Sequence, residues 1–365
     1  MSQQNRKPMD IRKLSSTAKA VAAVTAVLVG VSAASVAGTI AIYDSFFPRH
    51  DRPDYATYPG MYAYGRYEGS LPRETFYVPS GENRLCAYYY PVDNPRALAV
   101  AAHGIHAGAD DLLPMIERLT QEGYAVLAYD ATATFSSTGD DGIGMCQFMR
   151  DLDAVLNYVS AHPIYSSMPR VLIGHSLGGN AVASMLTLHR EIKAAVCIAA
   201  MNDASSLMVE TSRRYVDDVA YVVKPVFDAY QNYLFGEFTE YNAVRGINST
   251  DIPVLIAQGK QDEVIPHDSL AITAYLDEIT NPNMSLYYAD GWQGSHVGIW
   301  HSVDAMEYAS WVDSALERME KAKGDDLTYQ EKVDFYKTVD HRRYSAVNEE
   351  LFTLIFETFE KGLNR

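Results

Sequence analysis

Apolar residues recur along this chain in two rhythms. Short apolar runs with β-branched or aromatic members, at 74–78, 85–91, 98–102, 124–129, 171–173, 194–200, 253–258 and 285–289, read as strands. The first two are joined by Pro79-Ser80-Gly81-Glu82-Asn83, the signature of a hairpin. Between the later runs the period changes. Over 147–160, Met149, Leu152, Val155, Leu156 and Val159 fall on one helical face, and 110–122, 268–279 and 301–322 are further helical stretches. Strands alternating with helices predict an α/β domain with a mostly parallel sheet covered on both faces, which binds ligands at the carboxyl ends of its strands. Residues 203–241 interrupt the alternation. Leu207, Val216, Val219, Val222, Val226, Phe227, Tyr230 and Leu234 predict two helices there, placed as a cap over the strand ends that shapes the pocket. In the charged tail, Leu351, Leu354, Ile355 and Phe359 recur at helical spacing and predict a helix packed on the sheet.

The amino-terminal segment has a different pattern. Residues 20–43 hold no charge, and Arg6, Lys7, Arg12, Lys13 and Lys19 precede them. As a helix the run would be about 36 Å long, enough to span a bilayer. The basic flank holds residues 1–19 in the cytoplasm and places everything after the span outside. Tyr43, Phe46 and Phe47 stand where an interfacial aromatic belt is expected. The expectation is a single-pass anchor at 20–43, a juxtamembrane linker at 44–71 and an extracytoplasmic domain at 72–365. A secreted form is the alternative, since Ser35-Val36-Ala37 offers a signal-peptide cleavage site. The apolar stretch continues past Ala37, which favours the anchor.

Composition adds two constraints. The net charge is −16, and with six Lys/Arg against two acids in residues 1–50 the remainder is more acidic still. So acidic a body lacks the basic face that a nucleic-acid partner requires. Cys86, Cys146 and Cys197 show no C-x-x-C spacing, and two of them lie in strand-like runs. Buried free thiols are expected, with one disulfide left open if the domain is exported.

The chemistry centres on Arg170–Asn180. Gly174-His175-Ser176-Leu177-Gly178 fits G-x-S-x-G between a strand-like run and the helix-forming residues 181–186. Side chains at Gly174 or Gly178 would collide in so tight a turn, which exposes the Ser176 hydroxyl beside a helix N-terminus. A serine nucleophile needs a base and a group that orients the base. His296, in a small-residue loop after the last strand, is the expected base, with His301 as runner-up; His175 and His103 read as packing and loop-organising residues. Asp262 follows the preceding strand and is the expected orienting acid. Glu263 points elsewhere on that turn, Asp203 is an outside choice, and a helix-capping role for Asp262 stays open. The backbone amides of Leu177 and Ile105 are the expected oxyanion donors.

With His103-Gly104-Ile105, Gly174-His175-Ser176-Leu177-Gly178-Gly179, Ile252-Pro253-Val254-Leu255-Ile256 with Gly259 and Asp262, and the His296 loop, residues from about 72 onward resemble an α/β-hydrolase. The nearest group is that of the serine aminopeptidases and monoacylglycerol lipases. The resemblance implies a Ser-His-Asp serine hydrolase without metal or organic cofactor, acting on a small-molecule acyl substrate. Esters are the expected substrates because an alkoxide leaves more readily than an amine. Peptidase, amidase or acyltransferase chemistry, or a non-catalytic binding protein on the same fold, are the alternatives.

Overall fold

A computed structural model describes residues 36–41, 43–58, 63–67, 69–216 and 219–365. The strands are β1 (Glu74–Ser80), β2 (Asn83–Tyr90), β3 (Leu98–Ala102), β4 (Ala125–Tyr129), β5 (Arg170–His175), β6 (Ile192–Ile198), β7 (Val254–Gly259) and β8 (Met284–Ala289). The main helices are α1 (Leu113–Gln121), α2 (Gln147–Ala161), α3 (Leu177–Met185), α4 (Ala204–Val216), α5 (Val219–Phe235), α6 (Val303–Lys323) and α7 (Glu349–Leu363). One sheet of eight strands runs in the order β1-β2-β4-β3-β5-β6-β7-β8. The β1–β2 and β2–β4 pairs are antiparallel and the others parallel.

All eight apolar runs form strands, and their composition reflects burial on two faces. In β3, Leu98, Val100 and Ala102 join the core layer under α2 and α3, whereas Ala99 and Ala101 join the layer under α1 and α7. β4 alternates in the same way, with Leu127 and Tyr129 on one side and Val126 and Ala128 on the other. A strand buried on both faces carries no polar alternation, as in parallel sheets generally. The β1–β2 turn is two residues long, and Gly81 takes φ +58° there, a conformation glycine adopts at no steric cost. The tail helix α7 lies on the sheet with Phe352, Ile355 and Phe359 buried, as its periodicity predicts.

The segment 203–241 forms the two expected helices, α4 and α5. The helix expected at 268–279 shortens to a 3-10 segment, Ile272–Glu278. Its first turn is lost because the amides of Ser269, Leu270 and Ala271 all turn back to the Pro266 carbonyl, and Ala271 bridges to Met201. The three cysteines are free and buried.

The amino-terminal segment departs most from expectation. Most of the 20–43 run, residues 20–35, lies outside the described residues, and so does the 1–19 segment. Among the described residues no helix is long and apolar enough to cross a membrane. Tyr43 and Phe47 do not sit at a surface belt. They are buried in the core, with the Tyr43 ring 5.1 Å from that of Phe47, 5.4 Å from Tyr230 and 6.1 Å from Phe227 of α5. Aromatic side chains that suit a membrane interface suit a protein core equally well, so periodicity alone does not separate the two. The described residues of 44–71 run onto the domain and are bonded to it. His50 exchanges two backbone hydrogen bonds with the loop after β4: its N–H donates to Ala133 O at 2.9 Å and its carbonyl accepts from Phe135 N at 2.8 Å. Arg49 donates to the carbonyls of Phe135, Ser137 and Gly139 in the same loop.

Candidate active site

The turn from β5 into α3 is as tight as its glycines imply. A Cβ on Gly174 would strike the Gly178 carbonyl, and one on Gly178 would strike the Ala102 carbonyl of β3. Ser176, between them, is held at φ 57°, ψ −121°, with its N–H bonded to Ile198 O at 2.9 Å and its carbonyl receiving Asn180 N at 3.0 Å. Such a conformation in a non-glycine residue costs on the order of 1–3 kcal/mol and persists only where its surroundings over-determine it.

The loops after β7 and β8 deliver the other two expected residues. His296 Nδ1 lies 2.8 Å and 3.0 Å from the two carboxylate oxygens of Asp262. A carboxylate only accepts, so Nδ1 carries the proton and Nε2 keeps its lone pair. Asp262 is itself fixed: its Oδ1 receives the amides of Val264 and Ile265, and its Oδ2 receives Gln258 Nε2 at 3.0 Å. Its side chain has no exposed surface. It therefore caps its own turn and orients His296 at once. Glu263 points away from the ring and accepts the His296 backbone N–H at 3.3 Å. His175 donates from Nε2 to His296 O at 3.0 Å, which ties the elbow to the histidine loop. Burial, with neighbouring His296 second, lowers the pKa of His175 to about 3, so it stays neutral.

The loop after β3 closes the site on the other side. Gly104 lies so near the elbow that a Cβ there would come within 3.0 Å of Ser176 Cβ. His103 donates from Nδ1 to Gly104 O at 2.7 Å and accepts Ala131 N at Nε2 at 2.9 Å, joining this loop to the one after β4. Burial pushes its pKa down to about 4, which preserves this neutral tautomer. Among the described residues, neither the Ile105 nor the Leu177 amide has an acceptor outside regular secondary structure. Leu177 is the first residue of α3, where the helix itself leaves the N–H free.

Ser176, His296, Gly104 and Ile105 open onto one cleft of about 400 Å³. Its apolar walls include Leu112, Val264, Val297 and Trp300. Tyr58 and Asp111 also line it; Asp111 is not among the expected site residues, and Tyr58 belongs to the tyrosine-rich stretch 48–70, where a site-lining role is the alternative to packing or solvent-facing ones. The Asp111 Oδ2 accepts Gly108 N at 2.7 Å, and burial raises its pKa to about 6. His301 is buried away from the cleft against Trp300, at a ring separation of 4.1 Å, so it does not serve the serine. Asp203 caps the start of α4, accepting Ser206 N at 2.9 Å, and lies apart from His296. A second cavity, of about 370 Å³, sits under the cap and is lined by Asp203, Lys224, Asp228 and Gln231 among others. It contains none of Ser176, Asp262 or His296.

Residues 93–245 match the family model described as serine aminopeptidase, S33. No curated protein matches the chain. Among solved structures, the esterase Pf2001 of Pyrococcus furiosus is 19% identical with a TM-score of 0.50, over 69% of this chain and 93% of that one. Est1E of Butyrivibrio proteoclasticus, solved with ferulic acid bound, is 18% identical with a TM-score of 0.49, over 68% of this chain and 99% of that one. The acylaminoacyl peptidase of Pyrococcus horikoshii is 15% identical with a TM-score of 0.49, over 82% of this chain and 43% of that one. At 19% identity the likeness to Pf2001 is one of fold alone. The fold is that of the α/β-hydrolases, and residues 93–245 are similar to the serine aminopeptidase-like group of serine hydrolases.

Proposed function

We propose that the protein hydrolyses carboxylic esters through Ser176, His296 and Asp262. The observation that carries this reading is that His296, paired with the buried Asp262, opens onto the same cleft as a serine held in a strained elbow. Ser176 Oγ attacks the acyl carbon and passes its proton to His296 Nε2. Asp262 stabilises the imidazolium at Nδ1, and the Ile105 and Leu177 amides receive the oxyanion. The alkoxide leaves with the proton from His296, and water, deprotonated by the same nitrogen, releases the acyl group. The cleft is at the small end of ligand pockets, which run from about 300 to 1,000 Å³, and so favours short acyl groups. A fluorophosphonate probe tests the reading. Ser176-dependent labelling of the folded protein is expected, and its absence would sink the enzyme hypothesis.

Peptidase activity is the second reading, favoured by the Asp111 carboxylate in the cleft, whose charge suits a substrate amino group. Turnover of aminoacyl amides above that of short acyl esters would replace the first reading with this one. We further propose that the uncharged run from residue 20, up to the point where the chain enters the domain core at Tyr43, anchors the domain outside the membrane. Support comes from the uncharged run and its basic flank. Fractionation is the test: the protein should pellet with membranes, and a soluble form starting near Gly38 would favour signal-peptide cleavage instead.

A further inference from the structure

We propose that residues 48–58 are a working part of the active site, in which Arg52 is a positioning residue for the oxyanion loop and Tyr58 a specificity-determining residue for the acyl group. The proposal rests on the assignment of Ser176 as nucleophile.

The oxyanion loop runs from His103 into the 3-10 turn Ala109–Leu112. Two carboxylates fix that turn. Asp130, at the end of β4, accepts Ala109 N at 2.9 Å, Tyr88 Oη at 2.9 Å and Ser136 N at 3.2 Å. Asp110 belongs to the turn itself. Neither side chain has any exposed surface, so both depend on nearby cations. Arg73 reaches Asp110 Oδ1 at 2.7 Å. Arg52 takes Asp110 Oδ2, lies 3.9 Å from Asp130 Oδ2, and donates to Tyr88 Oη at 3.2 Å. Among the described residues it is the one cation that bridges the two acids. Its guanidinium also lies over the Phe135 ring, 4.9 Å from the centroid.

The strap that carries Arg52 is itself held. Arg49 and His50 fasten it to the loop after β4. Beyond Arg52 the chain turns at Asp54, whose carbonyl accepts Thr57 N at 3.1 Å, and Tyr58 reaches the cleft. One stretch without helical or strand period thus neutralises the acids behind the oxyanion loop and forms a wall in front of the serine. Without Arg52, Asp110 would keep Arg73, and Asp130 would be left, among the described residues, with no cation in ion-pair range. That carboxylate would then take up a proton or open toward water, and in either case the turn that aims the Ile105 amide shifts. Loss of one well-placed oxyanion donor costs about 10²–10³ in turnover, so a donor left in place but misdirected should cost less.

The test is Arg52→Ala, Arg52→Gln, Arg52→Lys and Tyr58→Ala in the full chain, with turnover expressed per probe-titrated Ser176 so that unfolded protein drops out. Arg52→Ala should lower kcat about 10-fold or more with KM for a short acyl ester nearly unchanged, and Arg52→Lys should restore part of the loss. Tyr58→Ala, at a half-exposed site, should raise the kcat/KM of octanoyl over acetyl esters about 10-fold. Wild-type kcat per titrated serine in Arg52→Ala overturns the positioning role. If that variant does not fold, wild-type kcat in Arg52→Gln, which keeps much of the side-chain volume without the charge, does so. An unchanged acyl-length ratio overturns the role of Tyr58. A wild-type protein that the probe does not label at Ser176 points instead to failure of the nucleophile assignment.

Discussion

The cap and the amino-terminal strap are both additions to one sheet, and they relate to the catalytic cleft in opposite ways. The cap has two helices and strong apolar periodicity, yet the cavity beneath it is a separate one, and among the described residues none of 203–241 lines the cleft of Ser176. The strap has no periodicity and would pass for a linker, yet Tyr58 stands in the cleft and Arg52 sits among the carboxylates behind the oxyanion loop. Apolar periodicity reports which face of an element is buried. It does not report which element completes a site. Here that follows from charge, because two unexposed carboxylates must be matched by a cation that only tertiary folding brings near.

The largest expected effect tests the frame on which both additions rest. Ser176→Ala or His296→Ala should reduce kcat by about 10⁴ or more, measured by ester turnover with the melting temperature nearly unchanged. Residual turnover close to wild type would move the chemistry out of the cleft, and the cavity under the cap would have to be reconsidered.

A second pair of variants asks whether the strap's leading end is core or surface. Tyr43 is fully buried between Phe47 and α5, whereas Tyr233 on the same helix is 83% exposed. Tyr43→Ala should cost about 3 kcal/mol in denaturant unfolding, and Tyr233→Ala about 0.5 kcal/mol or less. Equal effects would erase the distinction between the strap and a linker.

A third prediction concerns pH. Burial raises the pKa of Asp130 to about 6, while its hydrogen bonds and then Arg52 pull the other way. A carboxyl raised above its unfolded value binds an extra proton in the folded state, so its contribution to stability falls as pH rises from about 4 to 6. Removing Arg52 raises this carboxyl further, with Tyr88, Asp111, Tyr55 and Cys86 as its remaining titratable neighbours. The loss of melting temperature in Arg52→Ala should therefore be greater at pH 8 than at pH 5. A loss that does not vary with pH would show that packing on Phe135, and not charge, is what Arg52 supplies.

The smallest effect is expected at the cap. Lys224→Ala lies in the wall of the separate cavity and loses a partly exposed ion pair with Asp228, so ester kcat/KM should stay within about 3-fold of wild type. A larger loss would join the two cavities functionally and end the contrast with the strap.

Much of this site was legible from residue patterns alone. The elbow is marked by glycines whose Cβ positions are occupied by backbone, and the strand ends that bear Asp262 and His296 follow from apolar runs of the right length. Such features are local, so one chain segment carries the whole signal. The runner-up His301 could not be dismissed locally, since only the fold shows it buried against Trp300 and not lining the cleft. Residues 268–279 read as a helix because their composition permits one, and the claims of Pro266 and Met201 on their backbone are long-range. Tyr43 closes an uncharged run that suits either a bilayer or a core.

The sequence by itself determined the order of strands and helices, the strained serine, and the acid and base that follow it, because each depends on neighbours within one turn or one period. The tertiary structure alone decided that Arg52 meets Asp110 and Asp130 and that Tyr58 and Asp111 share a cleft with Ser176. Pairing of buried charges between segments some 58 residues apart or more leaves no periodic trace in either segment. It exists only when the sheet brings the two together, and the cost of leaving those carboxylates unmatched is what keeps the strap in place.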